Sequence, residues 1–521
     1  MAGQTEKQRI YTVATAHLDT SWLWDLETTI REYIPDTLKT NFALFEKYPE
    51  YVFNFEGSYR YELMKEYYPE LYEKLREYVA QGRWVPAGSC YENGDVNTPS
   101  PEALFRNILY GNGFFEREFG IRTKDIFIPD CFGFGFALPS IARHANLIGF
   151  STGKLQWGSA YGIPFDLGKW YGVDGNFVFA ELHPGSYTRT FKKVRGLSAA
   201  ESKLRENKKI GLPFTVLYHG TGDRGGAPSE LSVATVVSEQ LRNAEEDIEV
   251  WSAGSARAFE EMAAMDRDRL KRVPEWRNEL LLTNHGVGSY TSRAVSKRWN
   301  RRSEQLADAA ERSASASLWA GAGEYPQETL DTAWKRTIAH QFHDDITGTS
   351  FQVCYKRNWN DYVLSMNLFA GEYEAACGRV ASLMDTSFAQ GVPVLVSNPC
   401  QCSAERVEAV EASVTMQKHT PFVKVYDPLG AEVPSQIKAR RGKVFDIVFL
   451  AAVPSVGMKV YDVRPSESPC TEKTDLYVNS SVLENAKYKV LFDANGDIAD
   501  IYDKTIDKSI LSAPVSLDVH N

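Results

Sequence analysis

From the N-terminus to about residue 255, short apolar runs alternate with longer stretches whose apolar positions recur every three or four residues. The runs are YTVATAH (11–17), YVFNFEG (51–57), RWVPAGSCY (83–91), DIFIPD (125–130), GFSTGKL (149–155), NFVFAEL (176–182), FTVLYHG (214–220) and IEVWSAG (248–254). Their length and their β-branched and aromatic content predict strands. Stretches between them, such as YELMKEYYPELYEKLREYVAQG, carry charge on one face and close at Gly82, which predicts amphipathic helices. Strand–helix alternation predicts a parallel sheet, either a barrel or a doubly wound layer.

The period changes downstream. From about 290 to 385, SKRWNRRSEQLADAAERSASASLWAGA, TLDTAWKRTIAHQFHDDI and YVLSMNLFAGEYEAACGRVASLMD predict long helices in a bundle. From VPVLVSNP (392–399), strands punctuated by Pro and Gly follow, with KVFDIVFLAAV, AKYKVLFD and the turn ANGD at 494–497. The expected division is an α/β domain over 1–285, a helical bundle over 286–388 and an antiparallel β-sandwich region over 389–521. The sandwich region is expected to be incomplete, since it ends in VSLDVHN as if in mid-strand.

Most of the N-terminal strands run into polar residues: His17 and Asp19, Glu56, Glu92 and Asp95, Asp130, His219 and Asp223. In parallel α/β folds the ligand crevice lies at the carboxyl edge of the strands, so these residues gather where a site is expected.

Composition narrows the classes. A chain of 521 residues predicts about two to four domains, and 43% hydrophobic content suffices for several cores. The net charge of −10 disfavours phosphate backbones and anionic lipid, so neither nucleic acid nor membrane is an expected partner. No run approaches the roughly 18 apolar residues of a spanning helix, and MAGQTEKQRIYTVATAH enters a strand with no signal-like segment. Seven cysteines without a repeating frame suggest reduced thiols and a cytoplasmic protein. Cys400 and Cys402 lack a second pair at zinc-ribbon spacing.

Four segments carry chemistry. AHLDTSW places His17 and Asp19 at i and i+2 of an extended chain, where both can reach one ion. In IFIPDCFGFGFALP, Asp130 follows a strand and precedes a Gly-rich turn, and it is read either as a cleft carboxylate or as a helix cap. HQFHDDITGTS puts His340 and His343 at i and i+3 of a helix end beside Asp344 and Asp345. His340 is read as a satisfied core histidine. YHGTGDRGGAPS is a glycine loop carrying Asp223, without the GK[ST] ending of a phosphate loop. In NHGVGSYTSRAVSKRWNRRSE, Tyr290, Lys297, Asn300 and Arg301 either anchor the helices on the α/β domain or form a solvated basic face.

In this order the segments resemble glycoside hydrolase family 38, the α-mannosidases. AHLDTSWLW, PDCFGFGFALP, TSRAVSKRWNRRSE, HDDITGT and VSNP are similar to that family's zinc-and-substrate, nucleophile, helical and β-region motifs. The resemblance implies a seven- or eight-stranded (β/α) barrel and one zinc ion per chain on His17, Asp19, Asp130 and His343. It also implies Asp130 as nucleophile of a retaining hydrolysis, Trp22 stacked on the mannose ring and Asp344 on sugar hydroxyls. Asp223 matches the acid/base by its place on a late strand loop. The implied substrates are mannose-containing oligosaccharides or small mannosides, handled by a homo-oligomer. Two alternatives stay open: a metal-dependent carbohydrate deacetylase, and a mannoside-binding protein without turnover.

Overall fold

The computed structural model describes residues 7–403 and 405–515. It forms two compact units. One runs to Ala314 and takes in Tyr325–Ala375; the other holds Ser315–Glu324 and the described chain from Ala376 on.

The first unit contains the strands β1 (Gln8–Ala16), β2 (Phe53–Glu56), β3 (Trp84–Ala87), β4 (Asp125–Phe127), β5 (Gly149–Ser151), β6 (Leu167–Tyr171), β7 (Phe177–Glu181), β8 (Phe214–Thr221), β9 (Ile248–Ser252) and β10 (Glu275–Trp276). All eight expected strands form. β6 and β10 are additional, and the hairpin from β6 to β7 turns at Asp174-Gly175, a legible turn signal.

β1 is central. It pairs in parallel with β8 from Arg9↔Phe214 to Ala16↔Thr221, and on its other side with β9 and then β2. Its last seven residues are buried, as befits a parallel strand covered on both faces. β3 joins β2. The second sheet runs β10-β6-β7-β5-β4 and is parallel except between β6 and β7. Hydrogen bonding among the described residues therefore draws two five-stranded sheets, not the one continuous ladder of a seven- or eight-stranded barrel. The α/β character and the shared carboxyl edge stand; the single ladder does not. Beneath β2 and β3, Phe53 and Phe55 pack edge-on against Trp84 at 4.8 and 5.7 Å, the start of a large aromatic core.

Helices follow at Ala294–Trp319, Gln327–Ala339 and Gln352–Ala381. Lys297 donates to the carbonyls of Ser292 and Ile346, and Tyr290 donates to Asp95, 2.6 Å away behind β3. Asn300 donates to Glu304 and the exposed Arg301 pairs with the same carboxylate, both within the helix, so among these bonds only that of Tyr290 reaches the α/β domain.

The second unit is antiparallel. Val392–Asn398, Phe422–Tyr426, Glu432–Val433 and Gly457–Ser466 form one sheet, and Arg406–Thr415, Ser435–Arg441 and Val444–Val453 another. Both face one core that includes Val425, Phe445, Phe449 and Val463. Strict alternation of burial along Val444–Val453 shows one face in and one out. A third sheet spans Tyr477–Ser509, and the ANGD turn joins its strands Tyr488–Phe492 and Ile498–Asp503. The final VSLDVHN begins at Val515, beyond which the residues lie outside the described chain.

Candidate active site

The loops after β1 and β8 are laced together: the His17 amide donates to the Thr221 carbonyl and the Asp19 amide to that of Asp223. This brings the HLD and GTGDRGG segments to one place at the strands' carboxyl edge.

His17 is fully buried. Its Nδ1 lies 2.7 Å from Glu56 Oε1 at the end of β2, which leaves Nε2 facing Asp19 Oδ1 at 3.0 Å. His343 is also fully buried, and its Nδ1–H donates to the Asn93 carbonyl at 2.9 Å. Its Nε2 faces Asp19 Oδ1 at 3.5 Å, Asp130 Oδ2 at 3.7 Å and Asp344 Oδ2 at 3.7 Å. His17 Nε2, Asp19 Oδ1 and His343 Nε2 are buried and have no hydrogen-bond partner among the described residues. Unpartnered buried acceptors turned toward one point are the mark of a cation site. Zinc–N and zinc–O bonds of about 2.0–2.2 Å place tetrahedral ligands roughly 3.3–3.6 Å apart, close to the separations found. The second nitrogen of each imidazole is held by a carboxylate or a carbonyl, which fixes the ring so that Nε2 points inward. His17, Asp130 and His343, and Asp19, His343 and Asp344, are thus candidate cation-binding groups, and this donor set fits a zinc ion.

Burial lowers the affinity of His343 for a proton, but Asp130, Asp344 and Asp19 outweigh it and raise its pKa. A proton on Nε2 would stand where a cation would stand. His343 itself lies past the end of the helix Gln327–Ala339, in a run of turns, so its i, i+3 spacing from His340 does not operate on a helix. His340 caps that helix and bridges Asp345 and Asp361 at 2.8 and 2.9 Å, a satisfied core histidine as expected.

Asp130 lies three residues past β4. Its Oδ2 faces His343, while Oδ1 accepts from Lys154 Nζ, just past β5, and from the Tyr187 hydroxyl at 3.0 Å, past β7. Burial works against the charge, yet His343, Lys154 and His17 together hold Asp130 far below the usual carboxylate range. Lys154 is almost fully buried, with its ammonium 5.1 Å from the Phe132 ring and 5.2 Å from that of Trp157. The Tyr187 hydroxyl also lies 3.3 Å from Asp223 Oδ1.

Asp223 is half-buried and has φ +66°, a backbone conformation rare outside glycine, in a loop flanked by Gly222, Gly225 and Gly226. Burial, then Asp19 and Asp130, push its pKa upward. Trp22 sits half-buried on the loop after Asp19, its ring edge-on to Trp24 at 6.2 Å and its carbonyl tied to the Phe351 amide at 2.7 Å. Asp344 is buried and accepts from the Thr349 hydroxyl; burial raises its pKa.

Three strand-end residues have other work. Glu92 is buried in an ion pair with Arg60 at 2.6 Å, Asp95 accepts from Tyr290, and His219 is buried against Ser232 at 2.9 Å. Sequence reasoning missed Lys154 and Tyr187. Lys154 looked like part of the strand GFSTGKL, and Tyr187 lies six residues past β7 in an unremarked loop.

The chain matches the model of the glycosyl hydrolases family 38 N-terminal domain over residues 7–279 and that of the alpha mannosidase middle domain over 287–379. It belongs to glycosyl hydrolase family 38. Alpha-mannosidase G of Dictyostelium discoideum is 30% identical over 348 residues, 67% of this chain and 31% of that protein. Human Alpha-mannosidase 2C1 is 29% identical over 352 residues, 67% of this chain and 33% of that protein. A crystal structure of an alpha-mannosidase from Enterococcus faecalis V583 superposes with a TM-score of 0.76 at 20% identity, over 96% of this chain and 61% of that one, a likeness of fold. The chain thus spans about a third of the length of the curated relatives it matches.

Proposed function

We propose that this chain carries the catalytic site of a zinc-dependent, retaining, exo-acting α-mannosidase, acting on mannose-containing oligosaccharides or small mannosides. The observation that carries the reading is the division of labour on Asp130: Oδ2 faces the imidazole–carboxylate cluster and Oδ1 is held by Lys154 and Tyr187. The family models support a functional division near residue 285, with His343 supplied by the helical region. Seven free thiols favour a reducing, cytoplasmic setting.

A zinc ion held by His17, Asp19, Asp130 and His343 would supply a Lewis acid for the sugar hydroxyls. In this reading Asp344, beside His343, would take a hydroxyl of the mannose and Trp22 its ring face. Asp130 Oδ1, kept anionic and aimed by Lys154 and Tyr187, attacks the anomeric carbon. As that bond forms, the glycosidic C–O bond breaks and Asp223 gives its proton to the departing oxygen. Asp223 then takes a proton from water, whose oxygen displaces Asp130 and restores the original anomer. The raised pKa of Asp223 suits the acid and the lowered one of Asp130 suits the nucleophile. One tyrosine hydroxyl touches both carboxylates, at 3.0 and 3.3 Å, which keeps their oxygens short of the roughly 6.5–9.5 Å of inverting pairs.

The test is hydrolysis of an aryl α-mannoside by the purified chain as isolated, after chelation and after return of zinc, with the product anomer followed by NMR. Activity lost and regained with the metal, and α-mannose formed first, is the expected result. β-Mannose as first product would overturn retention. Binding without turnover would make the chain a mannoside-binding protein, and acetate release from an acetylated sugar would make it a deacetylase.

A further inference from the structure

Behind the loops that hold Asp130 lies a cavity of about 610 Å³, within the range of small-molecule sites. Ile163, Phe165 and Pro274 give it an apolar wall, and Arg189, Lys203 and Asp166 give it charge. Lys203 pairs with Asp166 at 2.6 Å, and Glu206 at the rim pairs with Lys209 at 2.7 Å. Glu181, next to Asp166, is pushed well above the usual carboxylate range by burial and by Asp166, and burial keeps His183 low. Arg189 meets a ring, that of Phe191 at 6.0 Å, and not a counter-charge. No carboxylate pairs with its guanidinium among the described residues, and its Nη1 is buried without a hydrogen-bond partner. The guanidinium lies directly over Gly185, where φ is +88° and any Cβ would come within 2.4 Å of it. An unbalanced, half-buried cation held at the wall of a cavity is an anion site.

We propose that this cavity binds a small hydroxylated anion, a sugar acid or sugar phosphate, whose charged group sits on Arg189. The guanidinium fork suits a carboxylate or a phosphate equally. The apolar wall suits a ring face, and Gln156 and Ser202 offer partners for hydroxyls.

The cavity is joined to the active site through its walls. Gln156 lies two residues after Lys154, and Arg189 two residues after Tyr187. The two segments touch, for a Cβ on Gly153 would come within 3.0 Å of the Gly185 carbonyl. Both segments end on Asp130 Oδ1, so an occupant that shifts either one shifts the proposed nucleophile. Binding at the cavity stands apart from the hydrolytic reading; its effect on turnover rests on that reading.

The test is calorimetric titration of the zinc-loaded protein with mannose 6-phosphate and with glucuronate, beside mannose and inorganic phosphate. At least one of the two sugar anions is expected to bind more tightly than either control, and about tenfold or more weakly to Arg189→Gln. Which one binds identifies the charged group. Ala199→Trp, on an exposed position at the cavity's edge, is expected to block the same binding by bulk while leaving Arg189 in place. Neither sugar anion binding above the controls, or equal binding to the native protein and to both variants, would overturn the proposal. In the native protein the bound anion should change kcat on an aryl mannoside, and in Arg189→Gln it should not. A protein inactive toward mannosides still gives the calorimetric answer.

Discussion

Lys154 donates to Oδ1 of Asp130, while Oδ2 of the same carboxylate faces His343 at 3.7 Å. The two oxygens of one side chain thus have separate neighbours, one the buried Lys154 ammonium and the Tyr187 hydroxyl, the other an imidazole fixed by the Asn93 carbonyl. Lys154→Met should lower kcat on aryl α-mannosides by about 10²-fold, since a preorganised charge in a dry site is lost, and Lys154→Arg should recover part of it. Zinc content, measured by elemental analysis, should be unchanged in both. A native kcat in Lys154→Met would remove the lysine from the mechanism.

Among the described residues the Tyr187 hydroxyl alone is bonded to both Asp130 and Asp223. Tyr187→Phe should lower kcat about tenfold with KM little changed, the size of one hydrogen bond to a charged group. Steady-state kinetics decide it; a rise in KM alone would mean that the hydroxyl binds substrate instead.

Asp223→Ala should leave the metal in place and depress hydrolysis of poor leaving groups by about 10²- to 10⁴-fold, with activated aryl mannosides much less affected. The measurement is a leaving-group series. A flat dependence identical to that of the native protein would assign the acid to another residue.

Glu56 holds His17 Nδ1 at 2.7 Å and so turns Nε2 toward the cluster. Glu56→Gln should weaken zinc by about 10- to 100-fold through loss of this support, without removing any donor. Competition against a chelator of known affinity measures it, and an unchanged affinity would show that the ring is oriented by packing alone.

His219 is fully buried beside Ser232, and burial, with a further push from Arg189, lowers its pKa to about 3. In the unfolded chain it takes up a proton near its ordinary 6.5, so between about pH 6.5 and 3 the unfolded state binds the extra proton. The contribution to stability is fully present above that window and declines as pH falls through it, by up to about 1.4 kcal/mol per pH unit. His219→Gln should therefore flatten the acid side of the stability profile in urea unfolding between pH 6.5 and 4. An equal slope in both proteins would mean that His219 is protonated in the folded state.

Sequence alone determined the eight strands, their parallel character and the edge at which chemistry gathers. An apolar run of five to eight residues is a local pattern, and the side chain that ends it must emerge at the carboxyl edge. His17, Asp19, Asp130 and Asp223 were legible for that reason, as were the switch to helices near 290 and to antiparallel strands near 392. The tertiary structure decided what depends on long-range pairing. β1 takes β8 on one side and both β9 and β2 on the other, and the remaining strands form a separate sheet, because ladder choice is set by packing across some two hundred residues of chain. It alone showed that Glu92, Asp95 and His219 face into the protein, and that Lys154 and Tyr187, from two unremarked loops, converge on one oxygen of Asp130. Those loops have no periodicity of their own; where their side chains point is fixed only when the strands that carry them are side by side.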